Sequence, residues 1–272
     1  MIAATGIDRV AGALAAAKTA RGGALIPYLC AGDPDLATTE RLMLELGAAG
    51  ADVIELGIPY GDPLADGPTI AASAQRALNR GATTVGALAA AGRAIAAGAP
   101  PVLAFTYVNP VVQYGNERFA DALVTHGFAG ALVPDIPLEE TETLRALFAA
   151  RGLVLPLLVA PTTPPERAAT IARASSGFTY LVSRLGVTAA TVEPVFGPLR
   201  SRVAALRAVS ELPLAVGFGI ATPEQVARAC DLADAAIVGS ALIDAYTVPG
   251  GDPVELAGAF VRRLATGLPG RR

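Results

Sequence analysis

Lysine occurs once in the 272 residues, at Lys18, and histidine once, at His126. A lone lysine near the N-terminus rules out a Schiff-base aldolase or a pyridoxal enzyme, both of which need an amine at the reacting carbon. His126 falls in a helical segment, 116–127, away from any strand's C-terminal end. Neither a histidine-ligated metal centre nor a Ser-His-Asp triad can be assembled, so no metal is expected. Cysteine occurs twice, at Cys30 and Cys230. That is too few for a disulfide framework, the spacing matches no metal motif, and reduced thiols are expected. Long apolar runs are also missing: Leu153 to Ala160 has the length of a strand and falls short of the ~18 residues of a membrane span. The net charge is only −3 and the arginines are scattered, which leaves no basic stripe for nucleic acid. The N-terminus has no continuous apolar signal core. It carries Asp8, Arg9 and Lys18 at helical spacing, so an amphipathic opening helix and a cytoplasmic location are expected. What remains is carboxylate acid–base chemistry, with Tyr107 and Tyr180 at strand ends as possible helpers.

What the chain does contain is one repeated pattern. Apolar, β-rich runs appear at 24–30, 52–58, 102–107, 130–135, 153–160, 178–183, 212–218 and 235–239. Alanine-rich amphipathic segments lie between them, among them 36–49, 69–80, 116–127, 139–151, 164–175 and 222–230. Eight strand–helix alternations predict a (β/α)8 TIM barrel, with a doubly wound sheet as the runner-up. The N-terminal helix, 7–20, is an extra element closing the barrel bottom. No linker or composition shift divides residues 1–272, so a single domain is expected.

In a barrel the active residues stand at strand C-terminal ends and in the loops that follow. Residues 55–70 read ELGIPYGDPLADGPTI. A period of two puts Val53, Glu55 and Gly57 on the inward face and Ile54, Leu56 and Ile58 against the outer helices. Glu55 then points into the barrel mouth, where partial desolvation raises its pKa toward the working range of an acid–base catalyst; the alternative is a buried structural Glu. Asp62 and Asp66 sit in Asp-Pro and Asp-Gly sequences, which are ordinary turn chemistry. The loop around them is nevertheless long for a βα connection, as functional lids are, and one of the two could face Glu55 across a substrate. After the seventh and eighth strands come VGFGI, 216–220, and VGSAL, 238–242. Glycines there let backbone N–H groups approach an anion, Ser240 adds a hydroxyl, and these two loops are the usual phosphate site of a barrel.

These segments, together with PYLCAGDP at 27–34, FTYVNPVVQYG at 105–115, VPDIPLEE at 133–140, APTTPPER at 160–167 and FTYLVSRLGVT at 178–188, closely resemble the tryptophan synthase alpha chain family. The resemblance runs from about residue 7 to 265. It implies a barrel that cleaves indole-3-glycerol phosphate to indole and glyceraldehyde 3-phosphate by a retro-aldol reaction. Carried over by motif, Glu55 would be the general acid and base, and Asp66 would hold the indole N–H and stabilise charge on the ring. Asp62 would shape the loop and the contact with a partner. Tyr180 would line the site near Glu55, while Gly219 and Ser240, with Gly217 and Gly239 nearby, would hold the phosphate. A lid from about Arg184 to Pro194 would contain Thr188. The family pairs with a beta chain in an alpha2beta2 complex; the pyridoxal phosphate belongs to that partner, and no cofactor is expected on this chain.

Four positions depart from the family pattern. Ala189 stands after Gly186, Val187 and Thr188 where glycine is usual, keeping the N–H but not the freedom for positive φ. Cys30, Gly61 and Ala71 replace a usual threonine, serine and glutamine. These departures allow a second reading, a stand-alone indole-3-glycerol-phosphate lyase that releases free indole. A non-catalytic regulatory barrel is a third, against which the intact Glu55 and Asp66 speak. An unrelated phosphosugar isomerase with two aspartates fails to account for the whole of ELGIPYGDPLADGP.

Overall fold

Thr5 and Asp8 form a capping box, each side chain accepting the other's backbone N–H, and this starts helix α1 (Gly6–Arg21). In this computed structural model, which describes residues 4–183, 197–217 and 219–270, each strand is then followed by one α-helix or two. The first half comprises β1 (Ala24–Cys30), α2 (Leu36–Ala49), β2 (Ile54–Gly57), α3 (Pro68–Asn79), α4 (Thr84–Ala96), β3 (Val102–Phe105), α5 (Val108–Tyr114), α6 (Asn116–Thr125) and β4 (Gly130–Leu132). The second comprises α7 (Glu142–Ala149), β5 (Leu157–Val159), α8 (Pro165–Ala174), β6 (Thr179–Val182), α9 (Gly197–Arg207), β7 (Leu214–Gly217), α10 (Pro223–Leu232), β8 (Ala235–Val238), α11 (Ser240–Tyr246) and α12 (Pro253–Ala265).

The strands pair in parallel in the order β4-β3-β2-β1-β8-β7-β6-β5. The seam between the outer two is drawn shut by a parallel bridge from Gly130 to Val154, just ahead of β5. Ala131 N–H donates to Val154 O at 3.1 Å and Val154 N–H to Ala129 O at 2.9 Å. Glycine is required at 130, because a Cβ there would lie 2.0 Å from the Val154 carbonyl oxygen. The (β/α)8 barrel expected from the alternation is therefore the fold.

The inward and outward faces divide as the period of two demands. Ile54, Leu56 and Ile58 join the cluster between sheet and helices, whereas Val53 joins the cluster inside the barrel. Val10, Leu14 and Ala17 of α1 enter that inner cluster against Ala24, Ala129, Phe178 and Ala235, which stand at or just before the N-terminal ends of strands. The opening helix thus plugs the bottom of the barrel. Arg9 donates to the carbonyls of Gly127 and Phe128, Arg21 pairs with Asp52, and Lys18 reaches Asp234 at 3.0 Å.

Two differences from the sequence reading have simple causes. The apolar runs exceed the ladders, as at β5, because residues beside a strand remain buried under helices after the hydrogen-bonded pairing has ended. The segment 139–151 is a single 3-10 turn, Leu138–Glu140, followed by α7, with the buried Thr141 hydroxyl returning to Leu138 O at 2.7 Å. Among the described residues no helix is long and apolar enough to cross a membrane.

Candidate active site

The C-terminal ends of the strands surround a pocket of about 540 Å3, measured out to its open mouth. Glu55 enters it from β2, paired in register with Tyr28 on one side and Leu103 on the other. The residue is 1% exposed, and its Oε1 has no hydrogen-bond partner among the described residues. Burial lifts its pKa from 4.5 to about 8, so at neutral pH the group carries a proton. A buried carboxyl left without a partner is costly, and such groups concentrate where chemistry is done. The structural-Glu alternative requires a partner for that oxygen, and none of the described residues supplies one.

Asp66 reaches the same pocket from the loop between β2 and α3. Its pKa is raised to about 6 by burial, against the lowering effect of a hydrogen bond from Tyr107. The Tyr107 hydroxyl also accepts the Ala65 N–H at 3.2 Å, so one phenol fixes both the loop backbone and the carboxylate. Tyr60 strengthens the attachment: its ring lies 5.5 Å from that of Tyr107, and its hydroxyl accepts from Asn109 at 2.9 Å. Asp135 accepts the Val108 N–H at 2.9 Å and so secures the first turn of α5, which follows Tyr107 directly. Two carboxyls in one pocket, one near 8 and one near 6, are thus held in different protonation states by different surroundings. Asp62, in contrast, is exposed and outside the pocket, its carbonyl closing a turn with Leu64 N–H at 3.1 Å.

Tyr180 lines the pocket from β6 and is buried, with its hydroxyl pKa raised well above the usual value first by desolvation and then by Glu55. Gly219, Gly239 and Ser240 line the pocket beyond the ends of β7 and β8, Gly219 in the left-handed region at φ 84° and Ser240 opening α11. The first N–H groups of a helix have no partner inside it, which suits this wall to an anion. Gly217 does not line the pocket. A Cβ on it would lie 2.2 Å from the Tyr180 hydroxyl, and Gly57 stands in the same relation to Tyr28, at 2.1 Å. Each glycine makes room for a tyrosine leaning in from the neighbouring strand. Gly217→Ala is therefore expected to displace Tyr180 and lower kcat/KM about ten-fold, the size of a modest overpacking penalty; steady-state kinetics at neutral pH would check it. Thr188, Ala189 and the lid expected at 184–194 lie outside the described residues.

The apolar wall was not read from the sequence. Tyr28, Ile70, Phe105, Leu158 and Ile237 form it, with Tyr28 edge-on to Phe105 at 5.3 Å between ring centres. The signal was present, since Tyr28 lies on β1 in register with Glu55, but picking out pocket residues also requires knowing how far up the barrel each stands.

Comparison with known proteins agrees with this geometry. A family model described as the tryptophan synthase alpha chain matches residues 14–252. The tryptophan synthase alpha chain of Prochlorococcus marinus (strain MIT 9313) is 51% identical over 244 residues, covering 89% of this chain and 88% of that one. The Chloroflexus aurantiacus alpha chain is 44% identical over 267 residues, covering 96% and 99%. Among solved structures, a Mycobacterium tuberculosis tryptophan synthase superposes with a TM-score of 0.88 at 36% identity, covering 96% of this chain and 98% of that one. The alpha subunit of Legionella pneumophila str. Paris gives a TM-score of 0.85 at 34% identity with the same coverage. By sequence, by fold and by the pocket at the strand ends, the chain belongs to the tryptophan synthase alpha chain family.

Proposed function

We propose that Glu55 and Asp66 divide between them the carbon–carbon lyase reaction of this family, the cleavage of indole-3-glycerol phosphate to indole and glyceraldehyde 3-phosphate. The observation that carries this reading is the buried Glu55 oxygen without a partner, in the same pocket as Asp66. Glu55 starts protonated and gives its proton to C3 of the indole ring. The ring nitrogen then carries positive charge, which the ionised Asp66 stabilises through the N–H. The carboxylate left on Glu55 takes the proton of the hydroxyl on the attached carbon. The bond from that carbon to C3 breaks, its electrons return to the ring, and the aldehyde forms with Glu55 again protonated. Tyr28 and Phe105 supply an apolar wall for the ring, and Tyr180 borders Glu55. Gly219, Gly239 and Ser240 face the phosphate; Thr188, assigned to it by motif, lies outside the described residues.

A beta chain is the partner proposed, receiving indole in an alpha2beta2 complex in the cytoplasm and holding the pyridoxal phosphate. Leu64, 75% exposed in the loop that carries Asp66, and Val112, 60% exposed on the α5 helix that secures that loop, support docking at the pocket mouth. Exposed apolar side chains beside a site are what a partner surface covers.

The test is to incubate the purified chain with indole-3-glycerol phosphate, alone and with a tryptophan synthase beta chain, and to follow glyceraldehyde 3-phosphate. Slow turnover alone that rises strongly with the beta chain is expected. Fast turnover unchanged by the partner would mark a stand-alone lyase, and none in either condition would leave a non-catalytic barrel.

A further inference from the structure

A second group of polar side chains, buried apart from the half-exposed Arg76, lies beyond the pocket wall. Asp33 follows β1 and is 1% exposed. Its carboxylate accepts the Ser73 hydroxyl and both Nε and Nη2 of Arg76, at 3.0 and 2.6 Å. Ser73 and Arg76 stand three residues apart on α3 and therefore face the same way. A bidentate guanidinium–carboxylate pair fixes direction as well as distance. Tyr246, the last residue of α11, is buried with its hydroxyl beside Ser73 and the Cys30 backbone. None of Asp33, Ser73, Arg76 and Tyr246 lines the pocket, and the reaction above uses none of them.

Their place in the fold gives them a task. Helix α3 begins at Pro68, two residues beyond Asp66, and Ile70 in its first turn lines the pocket. The helix is held at its C-terminal end as well, where Arg80 donates to Pro34 O. Its buried face is Ile70, Ser73, Ala74 and Ala77. Small side chains make few van der Waals contacts, so packing alone locates such a helix loosely. Asp33 grips the helix about a turn and a half beyond its first residue at Ser73 and just over two turns beyond it at Arg76.

We propose that Asp33 is a positioning residue for the lyase reaction: by holding Ser73 and Arg76 it seats α3 and thereby places Asp66 in the pocket. This rests on the role given to Asp66 above. Misplacing a reacting group by about 1 Å can cost on the order of 100-fold in rate, so a partial loosening is expected to be visible in kcat.

The experiment is a double-mutant cycle on the full chain with a beta chain present, read by single-turnover and steady-state cleavage of indole-3-glycerol phosphate. Asp33→Asn is expected to lower kcat about ten-fold with KM changed by less than about three-fold. In an Asp66→Asn background the same change should cost less than about two-fold, because a misplaced group that no longer functions has nothing further to lose. Ser73→Ala removes one hydrogen bond without stranding the buried charge, and is expected to give a smaller kcat loss with the same dependence on Asp66. It decides the matter if melting shows that Asp33→Asn does not fold. Equal losses in both backgrounds, or an unchanged kcat in a folded variant, would overturn the positioning role and leave the site assignment intact. If Asp66→Asn itself retains full activity while Glu55→Gln does not, the assignment of Asp66 is wrong and this proposal goes with it.

Discussion

Glu55→Gln is expected to lose about 1,000-fold in kcat, the middle to upper range for removing a general acid–base group, and yet to melt at a higher temperature than the unaltered chain above pH 8. Both effects come from the same burial. The folded-state pKa of Glu55 stands at about 8 against an ordinary 4.5, so the folded chain binds a proton that the unfolded chain releases. Stability from this group is complete below about pH 4.5 and is lost as pH rises through 8, where the carboxylate must ionise in an apolar setting. A shift of this size corresponds to roughly 5 kcal/mol. Glutamine has nearly the same shape and cannot ionise, so the variant should escape this loss. Thermal melts from pH 5 to 9 would check it: the two curves should run close at the acid end, separate as pH rises to about 8, and keep a constant gap beyond that. Parallel curves would mean that Glu55 is not protonated in the folded chain at neutral pH.

Asp66→Asn is expected to lower kcat by about 100-fold or more, the usual cost of removing one preorganised electrostatic contact to developing charge. Its effect on the pH profile is the more specific result. In the unaltered chain kcat/KM should fall below about pH 6, where Asp66 protonates, and above about pH 8, where Glu55 loses its proton. The amide variant should keep the alkaline limb and lose the acid one. Tyr107→Phe should move the acid limb upward without abolishing it, because the phenol's hydrogen bond lowers the Asp66 pKa and its removal leaves desolvation unopposed. Rate profiles from pH 5 to 9 on the three proteins would separate these outcomes. An acid limb that stays in place in Asp66→Asn would show that it belongs to another group.

The two acids were not equally legible in the sequence. The place of Glu55 followed from alternation along a single strand: with Ile54, Leu56 and Ile58 turned toward the helices, it had only the barrel interior to face. Asp66 is a loop residue with no such period, and motif resemblance, not local physics, separated it from Asp62 four positions earlier. What distinguishes them in space is Tyr107, at the start of α5, whose hydroxyl meets Ala65, 42 positions earlier in the sequence, and Asp66 beside it. The glycines show a similar limit. Gly217 and Gly219 read alike as anion-site residues, but Gly217 gives up its side-chain volume to Tyr180 while Gly219 faces the pocket.

By itself the sequence determined the class of chemistry and the architecture. One lysine and one histidine excluded the amine, triad and histidine-metal routes, and eight alternations of β-rich and amphipathic segments specified the barrel, because both are properties of composition and local period. Only the tertiary structure decided the protonation states and the supports of the site. The raised pKa of Glu55 depends on walls from β1, β3 and β6. That of Asp66 depends on burial set against a phenol from the β3–α5 connection, and the seat of α3 depends on Asp33 behind β1. Desolvation and hydrogen bonding act through contacts a few ångströms long, and those contacts join residues that only the closed barrel brings together.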